Sequence, residues 1–387
     1  MKIRDAVCLL LATLAGTSIF AGAPLYAAAP LQPEVSTVEK LGAPSPHWLL
    51  VNDMNFLGYM DSKVLLIDTD TGRMLGQMST GGYRNAVEIA PDFSLIYSPE
   101  TYYPRVTRGD REEVITVYET TGLTAVDEVL IPPKRATGAA LRGYSGMSDD
   151  GRFVYVANMT PAMSVTVADM QRREFVGETP TSGCMIILPT GNRSFAMICG
   201  DGTAMHLTLN DAGEVIDKSK TAPFFDADAD PVTEKTARIG NTWYLVSFSG
   251  RVYPLKQEDG ELSAEASWSL LSEAEHAAGW RPGGQQFVGA HEASGRLFVI
   301  VNQGGDHSHK RAGNTIWIYD VSARERIGEI TLPAEADRLA ISQDANPVLV
   351  IGGAGPEMFV LDPDTGEVLR GMEGPLLGPG VMQFPRL

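Results

Sequence analysis

Thr315-Ile-Trp-Ile-Tyr-Asp320-Val-Ser-Ala-Arg-Glu-Arg-Ile-Gly328 is a β-rich run, a polar turn and a second run that ends on glycine. β-Branched and aromatic residues suit a pleated, half-buried surface, and the Asp/Ser-rich centre is turn chemistry. The stretch reads as a hairpin, and the hairpin recurs. Lys63-Val-Leu-Leu-Ile-Asp-Thr-Asp-Thr-Gly72-Arg-Met-Leu-Gly76 and Met358-Phe-Val-Leu-Asp362-Pro-Asp-Thr-Gly366-Glu-Val-Leu are its clearest copies. Fainter ones begin near Val114, Ser164, Ala204 and Gly250, which brings the copies to seven.

Between them lie hairpins of similar design, such as Tyr144 to Ala157, Phe287 to Val301 and Leu339 to Ile351. Two hairpins per repeat make four strands, the unit of a β-propeller blade. Trp48-Leu-Leu-Val-Asn52 has no hairpin before it, and Gly380-Val-Met-Gln-Phe384 has none after it. Pairing these two ends would complete a blade and remove two free sheet edges. The sequence therefore predicts an all-β, seven-bladed β-propeller with four-stranded blades, closed by its N- and C-terminal strands. Six or eight blades, or an array of β-sandwiches, remain open. Ser272 to Gly279 interrupts the pattern with a short helix, where Ser272 and Glu275 form a capping box and Gly279 a stop.

The first residues read as an export signal. Lys2 and Arg4 precede an apolar run from Ala6 to about Ala21, and Tyr26-Ala27-Ala28-Ala29 has cleavage-site character. A span needs roughly 20 apolar residues, and this run is shorter and interrupted. Residues 1–29 are expected to be removed, leaving 30–387 as one propeller domain; an uncleaved anchor is the alternative. No later stretch is apolar enough to cross a bilayer. The chain carries 48 acidic and 31 basic residues, a net charge of −17. Such a surface repels phosphate backbones, so nucleic acid is not an expected partner.

Cys184 and Cys199 flank a hairpin centred near Gly191 and Asn192, which puts them opposite each other. Cross-strand cysteines at that spacing can bridge, as an oxidising compartment allows. Two free buried thiols are the alternative. His291-Glu292 and His307-Ser-His309 invite a metal reading, but no third ligand follows from spacing, and polar loop histidines explain them as well. Asp226-Ala-Asp-Ala-Asp230 lacks the glycine and distal glutamate of a calcium loop. No metal site is expected. The sequence contains no phosphate loop, nucleophile elbow or haem-attachment motif. A lactonase-like hydrolase would need a ring of metal-binding carboxylates and asparagines at one mouth, which these residues do not assemble. The chain reads as a scaffold or subunit.

Several irregular stretches carry a more specific likeness. They are Arg105-Val-Thr-Arg-Gly-Asp-Arg111, Trp268-Ser-Leu-Leu-Ser-Glu-Ala-Glu with Gly279-Trp-Arg-Pro-Gly-Gly284, His309-Lys310, and Gly183-Cys184 with Ile198-Cys199-Gly-Asp-Gly202. With the blades, they resemble the heavy subunit of the tryptophan tryptophylquinone amine dehydrogenases across nearly all of the mature chain. Pro132 to Arg135 and the Cys-bounded hairpin look closer to the aromatic-amine branch than to the methylamine branch.

The resemblance implies a periplasmic α2β2 enzyme that oxidises a primary amine to an aldehyde and ammonia. The catalytic residues and the tryptophan tryptophylquinone belong to the small subunit, so no cofactor is expected on this chain. Trp48, Trp243, Trp268, Trp280 and Trp317 are scattered and are read as packing residues. Electrons would leave one at a time to a small blue-copper protein of the amicyanin or azurin kind, with a c-type cytochrome as the alternative. Asp53-Met-Asn-Phe56 matches the family segment whose phenylalanine borders the substrate channel, which nominates Phe56 and its neighbour Leu57; ordinary packing is the alternative. Tyr59, Tyr102 and Tyr103 could share that role. Arg105, Arg108 and Arg111 are expected at the subunit interface. A different class stays open, a stand-alone periplasmic propeller that binds a ligand or protein without redox activity.

Overall fold

The computed structural model describes residues 39–53, 62–82, 86–137, 141–373 and 378–387, and Glu39–Leu387 form one unit. Residues 1–38, with the expected signal peptide and cleavage point, lie outside the described residues, as do Phe56 and Leu57.

The strands form seven antiparallel sheets, each a path of four strands. In blades 2 to 4 and blade 7 the chain runs from the innermost strand outward. Blade 2, for example, comprises Glu88–Ile89, Leu95–Tyr102, Glu112–Glu119 and Thr124–Ile131. Blades 5 and 6 follow the same order, each with one short extra strand. Blade 1 is different. Its three outer strands, Trp48–Asp53, Lys63–Asp68 and Arg73–Ser79, open the ring, and Pro379–Gln383 supplies its innermost strand from the other end of the chain. The registers Leu50↔Gln383 and Val51↔Met382 seal the closure expected from the unpaired ends.

Burial explains the sequence pattern. The middle strands are covered by blades on both sides, so Phe153–Asn158 and Ser164–Asp169 are buried at every position. The rim strands are not: Val215–Lys220 and Val368–Glu373 are mostly exposed and carry Lys, Asp, Arg and Glu, which discourage edge-to-edge association.

The aspartate at the centre of each clear repeat ends or directly follows the third strand and caps the outer turn. Asp320 Oδ1 accepts from the Ser322 and Ala323 amides, Asp362 Oδ1 from Asp364 and Thr365, and Asp169 Oδ1 from Gln171 and Arg172. The outer hairpins of six blades also share a register shift just before this turn. Cys184 and Cys199 form the expected disulfide across the inner hairpin of blade 4.

The two faces of the ring differ. On the face where the inner strands end, connections are tight, the longest being Ser342–Val348 between Ile341 and Leu349. On the opposite face lie the long connections: Tyr103–Arg111, Thr221–Pro231, Glu265–Phe287 with its helix Glu273–Ala277, and Gln303–Ala312. Asp53 and Ser62, the described residues on either side of 54–61, both lie on this second face.

Leu50 is fully buried at the closure, whereas Leu369 on the blade 7 rim is half exposed. Leu50→Ala is expected to cost about 2–5 kcal/mol in denaturant unfolding, and Leu369→Ala less than about 0.5 kcal/mol. Equal effects would contradict the seam as part of the core.

Candidate functional site

Two strands of blade 2 each bury a carboxylate. Glu100 and Glu113 are both fully buried at the long-loop end of the blade. A buried carboxylate must be paired or protonated, and the two take different routes.

Glu113 is paired. Its Oε1 accepts from Arg111 Nε at 2.9 Å and Thr101 Oγ1 at 2.9 Å, and its Oε2 accepts from the Arg135 amide at 2.8 Å. The Arg135 guanidinium donates to Thr101 Oγ1 at 2.7 Å and to the Gly82 carbonyl at 3.3 Å. Arg111, expected at a subunit interface, is thus committed inside the chain, where it pins the Tyr103–Arg111 loop to residues 132–135.

Glu100 is surrounded by hydroxyls. Thr116 donates to Oε2 at 2.8 Å, Tyr102 donates to the same oxygen, and Tyr118 lies 2.9 Å from Oε1. Burial raises its pKa, against the opposing effect of these donors. Tyr118 has one proton and also lies 2.6 Å from the Ser79 carbonyl. A protonated Glu100 satisfies both contacts, because the carboxyl then donates to Tyr118 while Tyr118 donates to Ser79.

These networks also reach the backbone at Ser79 and Gly82. The Ser62 amide donates to the Gly81 carbonyl, and the Tyr102 ring lies 3.1 Å from where a Cβ on Gly81 would stand. Tyr102, a sequence candidate, therefore packs beside Gly81, to which Ser62 is bonded.

The other two motif loops are joined to each other. The helix Glu273–Ala277 has the predicted capping box between Ser272 and Glu275. The Gly305 amide donates to the Gly279 carbonyl at 2.9 Å, Gln303 Nε2 donates to the Ala278 carbonyl at 2.9 Å, and Arg281 pairs with Asp306. The two glycines of Trp-Arg-Pro-Gly-Gly are sterically required. A Cβ on Gly283 would lie 2.3 Å from Asn302 Nδ2, and one on Gly284 2.4 Å from the Asp337 carbonyl oxygen. Trp280 and Trp317, apart in sequence, meet at 5.2 Å with a 40° tilt, and Arg326 covers Trp317. Trp317 is buried, and the pair packs the insert against blade 6.

The histidines are not brought together. His291, near the tight-turn face, lies 2.8 Å from Ser294 Oγ and 3.0 Å from the Asp344 carbonyl, and links blades 6 and 7. His309 stacks on Phe248 near the long-loop face, its pKa lowered by burial and by Lys235 and Lys310. Asp226 and Asp230 are used in turns, Asp230 accepting from Ser247 and Ser249. Among the described residues, no group of three or more His, Cys, Asp or Glu could hold a metal.

The inner strands enclose a central cavity of about 780 Å³. Glu88 faces it, accepting from Ser145 Oγ at 2.6 Å. Burial raises Glu88 to about 7, with Ser145 and Arg142 opposing the shift.

The comparisons with known proteins fit this architecture. The family profile described as methylamine dehydrogenase heavy chain (MADH) matches residues 48–383. Methylamine dehydrogenase heavy chains from Methylobacillus flagellatus and Methylophilus methylotrophus are each 26% identical, over 80% and 89% of this chain and 78% and 85% of their own. That of Paracoccus versutus is 28% identical over 82% of this chain and 74% of its own. Two solved structures share the fold alone. A dihydro-heme d1 dehydrogenase has a TM-score of 0.55 at 16% identity, covering 89% of this chain and 68% of its own. A putative 6-phosphogluconolactonase from Bacteroides uniformis has a TM-score of 0.58 at 13% identity, covering 87% and 98%. The chain belongs to the methylamine dehydrogenase heavy chain family.

Replacing Glu113 with Gln leaves Arg111 and Arg135 without their buried counter-charge. The expected loss is about 3–5 kcal/mol in denaturant unfolding. Exposed Arg105→Ala should stay within about 0.5 kcal/mol. A neutral Glu113→Gln would show that the network does not anchor the loop.

Proposed function

We propose that this member of the methylamine dehydrogenase heavy chain family is the heavy subunit of a periplasmic quinoprotein amine dehydrogenase. The enzyme would be an α2β2 assembly that converts a primary amine and water into an aldehyde and ammonia, releasing two electrons and two protons. The family match across the whole described ring carries this reading. In it, residues 1–29 direct export and are removed, and 30–387 form the mature domain.

The small subunit is the expected bearer of the tryptophan tryptophylquinone, which supplies the two-electron oxidation when present. This chain contributes position and shape. Its long-loop face is the proposed dock, since the three motif loops there are locked by Glu113, Arg135 and the Gly279–Gly305 contact. A pre-ordered surface loses little conformational entropy on binding. Phe56, with Leu57 beside it, would border the channel to the quinone, exclude water and limit the amine side chain that can approach. The electrons would then leave one at a time to an amicyanin- or azurin-like blue-copper protein.

Purification from periplasm should yield a complex with a small subunit whose quinone absorption bleaches on addition of amine. In that complex, Phe56→Ala should change the ratio of kcat/KM for phenylethylamine over methylamine about tenfold with unchanged thermal unfolding. A chain that purifies alone with no amine-sensitive chromophore contradicts the enzyme reading. An unchanged amine profile removes Phe56 from the channel.

A further inference from the structure

The central cavity holds a cluster of charge that neither the fold nor the proposed amine chemistry uses. Arg142 enters it from the long-loop side, on the turn Arg142–Tyr144 that precedes the inner strand of blade 3. That turn is pressed against blade 4, since a Cβ on Gly143 would lie 2.5 Å from Ile186 Cγ2. Arg142 has no hydrogen-bond partner among the described residues, and its electrostatic neighbours are Glu88 and Arg386. The side chain is open to the lumen although it lies deep within the ring.

Arg386 reaches the same lumen from the opposite mouth. It follows buried Pro385 on the tail beyond the closing strand. Its neighbours are Arg238 of blade 5, Glu292 of blade 6 and Asp149 of blade 3, besides Arg142. A side chain that leaves blade 1 and faces blades 3, 5 and 6 lies near the ring axis. Arg238 is held by both carboxylate oxygens of Asp149, at 2.6 and 2.7 Å. The nearest carboxylate to Arg386 is Glu292, at 3.8 Å. Arg142 and Arg386 thus reach one cavity, and among the described residues neither is hydrogen-bonded to a carboxylate; planar guanidinium forks match oxoanions.

We propose that the central channel binds one small oxoanion, an inorganic sulfate or phosphate or an organic carboxylate, between Arg142 and Arg386. Ser145 completes the site through Glu88. When Glu88 is protonated, its carboxyl donates to Ser145 Oγ and frees the Ser145 hydroxyl to donate to the anion. When Glu88 is ionised, it accepts from Ser145 and competes with the anion for Arg142. Arg142 is the charged group that faces Glu88. Elsewhere the lumen presents Lys235 paired with Glu234, Arg238 paired with Asp149, Glu292 near Arg386, and Gln286, which carries no charge. Glu88 holds its proton below about 7 and loses it above, so anion binding should weaken as pH rises through neutrality.

Sulfate and malonate are doubly charged through most of this range, so calorimetric titration of the intact complex with each, at pH 6 and pH 8 and fixed ionic strength, tests the site. One anion per heavy chain is expected, bound at least fivefold more tightly at pH 6. Arg142→Gln and Arg386→Gln should each weaken binding about tenfold or more, and Glu88→Gln should bring the pH 8 affinity up to that at pH 6. Tighter sulfate binding marks an inorganic ligand and tighter malonate binding an organic one. Arg386 lies on an exposed tail, so its variant tests the site even if Arg142→Gln fails to fold. No saturable binding of either anion at pH 6, or binding unaffected by Arg386→Gln, overturns the proposal. Neither result depends on whether the complex oxidises amines.

Discussion

A propeller blade has two apolar faces, and each must be covered by a neighbour. The ring therefore has to close, and closure here depends on a strand taken from the far end of the chain. Leu50 and Val51 pair with Gln383 and Met382, and Gln286 reinforces the seam. Its Nε2 donates to the Leu339 and Met382 carbonyls at 2.9 and 2.8 Å, while its Oε1 accepts from the Met382 amide at 3.0 Å. One amide side chain from blade 6 so links the inner strands of blades 7 and 1. The buried middle strands of the other blades rely on this seam, because an open ring would expose a blade face to water.

Closure also determines where function can sit. Chain direction is the same in every inner strand, so the connections fall into two sets on opposite faces. One set is made of tight turns, several of them capped by aspartates. The other holds the long connections, which are fixed by polar groups rather than by strand pairing. Glu113 with Arg111 and Arg135, and Arg281 with Asp306, are charge pairs that order backbone outside the sheets. In the proposed enzyme this ordering gives the partner subunit a shaped surface.

The repeats were legible because their physics is local. An aspartate that caps an outer turn and a glycine that permits it leave the same trace in blade after blade, as do cysteines at mirrored hairpin positions. The polar networks were less legible because their partners are distant in sequence. Arg135 meets Glu113 only after blade 2 has folded, and Trp280 meets Trp317 only when the insert packs on blade 6. A weak signal for Glu100 and Glu113 did exist, since each lies on a β run that also carries Ile, Tyr and Thr. It could mark them as buried without naming their partners. Arg111 illustrates the limit: its motif was recognisable, yet its partner Glu113 was not. Phe56 and Leu57 rest on the family resemblance and lie outside the described residues.

The central claim is that a closed ring presents its long-loop face to a quinone-bearing subunit. Hydrogen–deuterium exchange of the heavy chain, alone and within the purified complex, tests it most directly. Added protection in the complex should concentrate in 103–111, 272–284 and 303–312, with little change in the turns at 148–152, 190–193 and 321–324. Protection centred on those turns, with the long loops unchanged, would contradict the account.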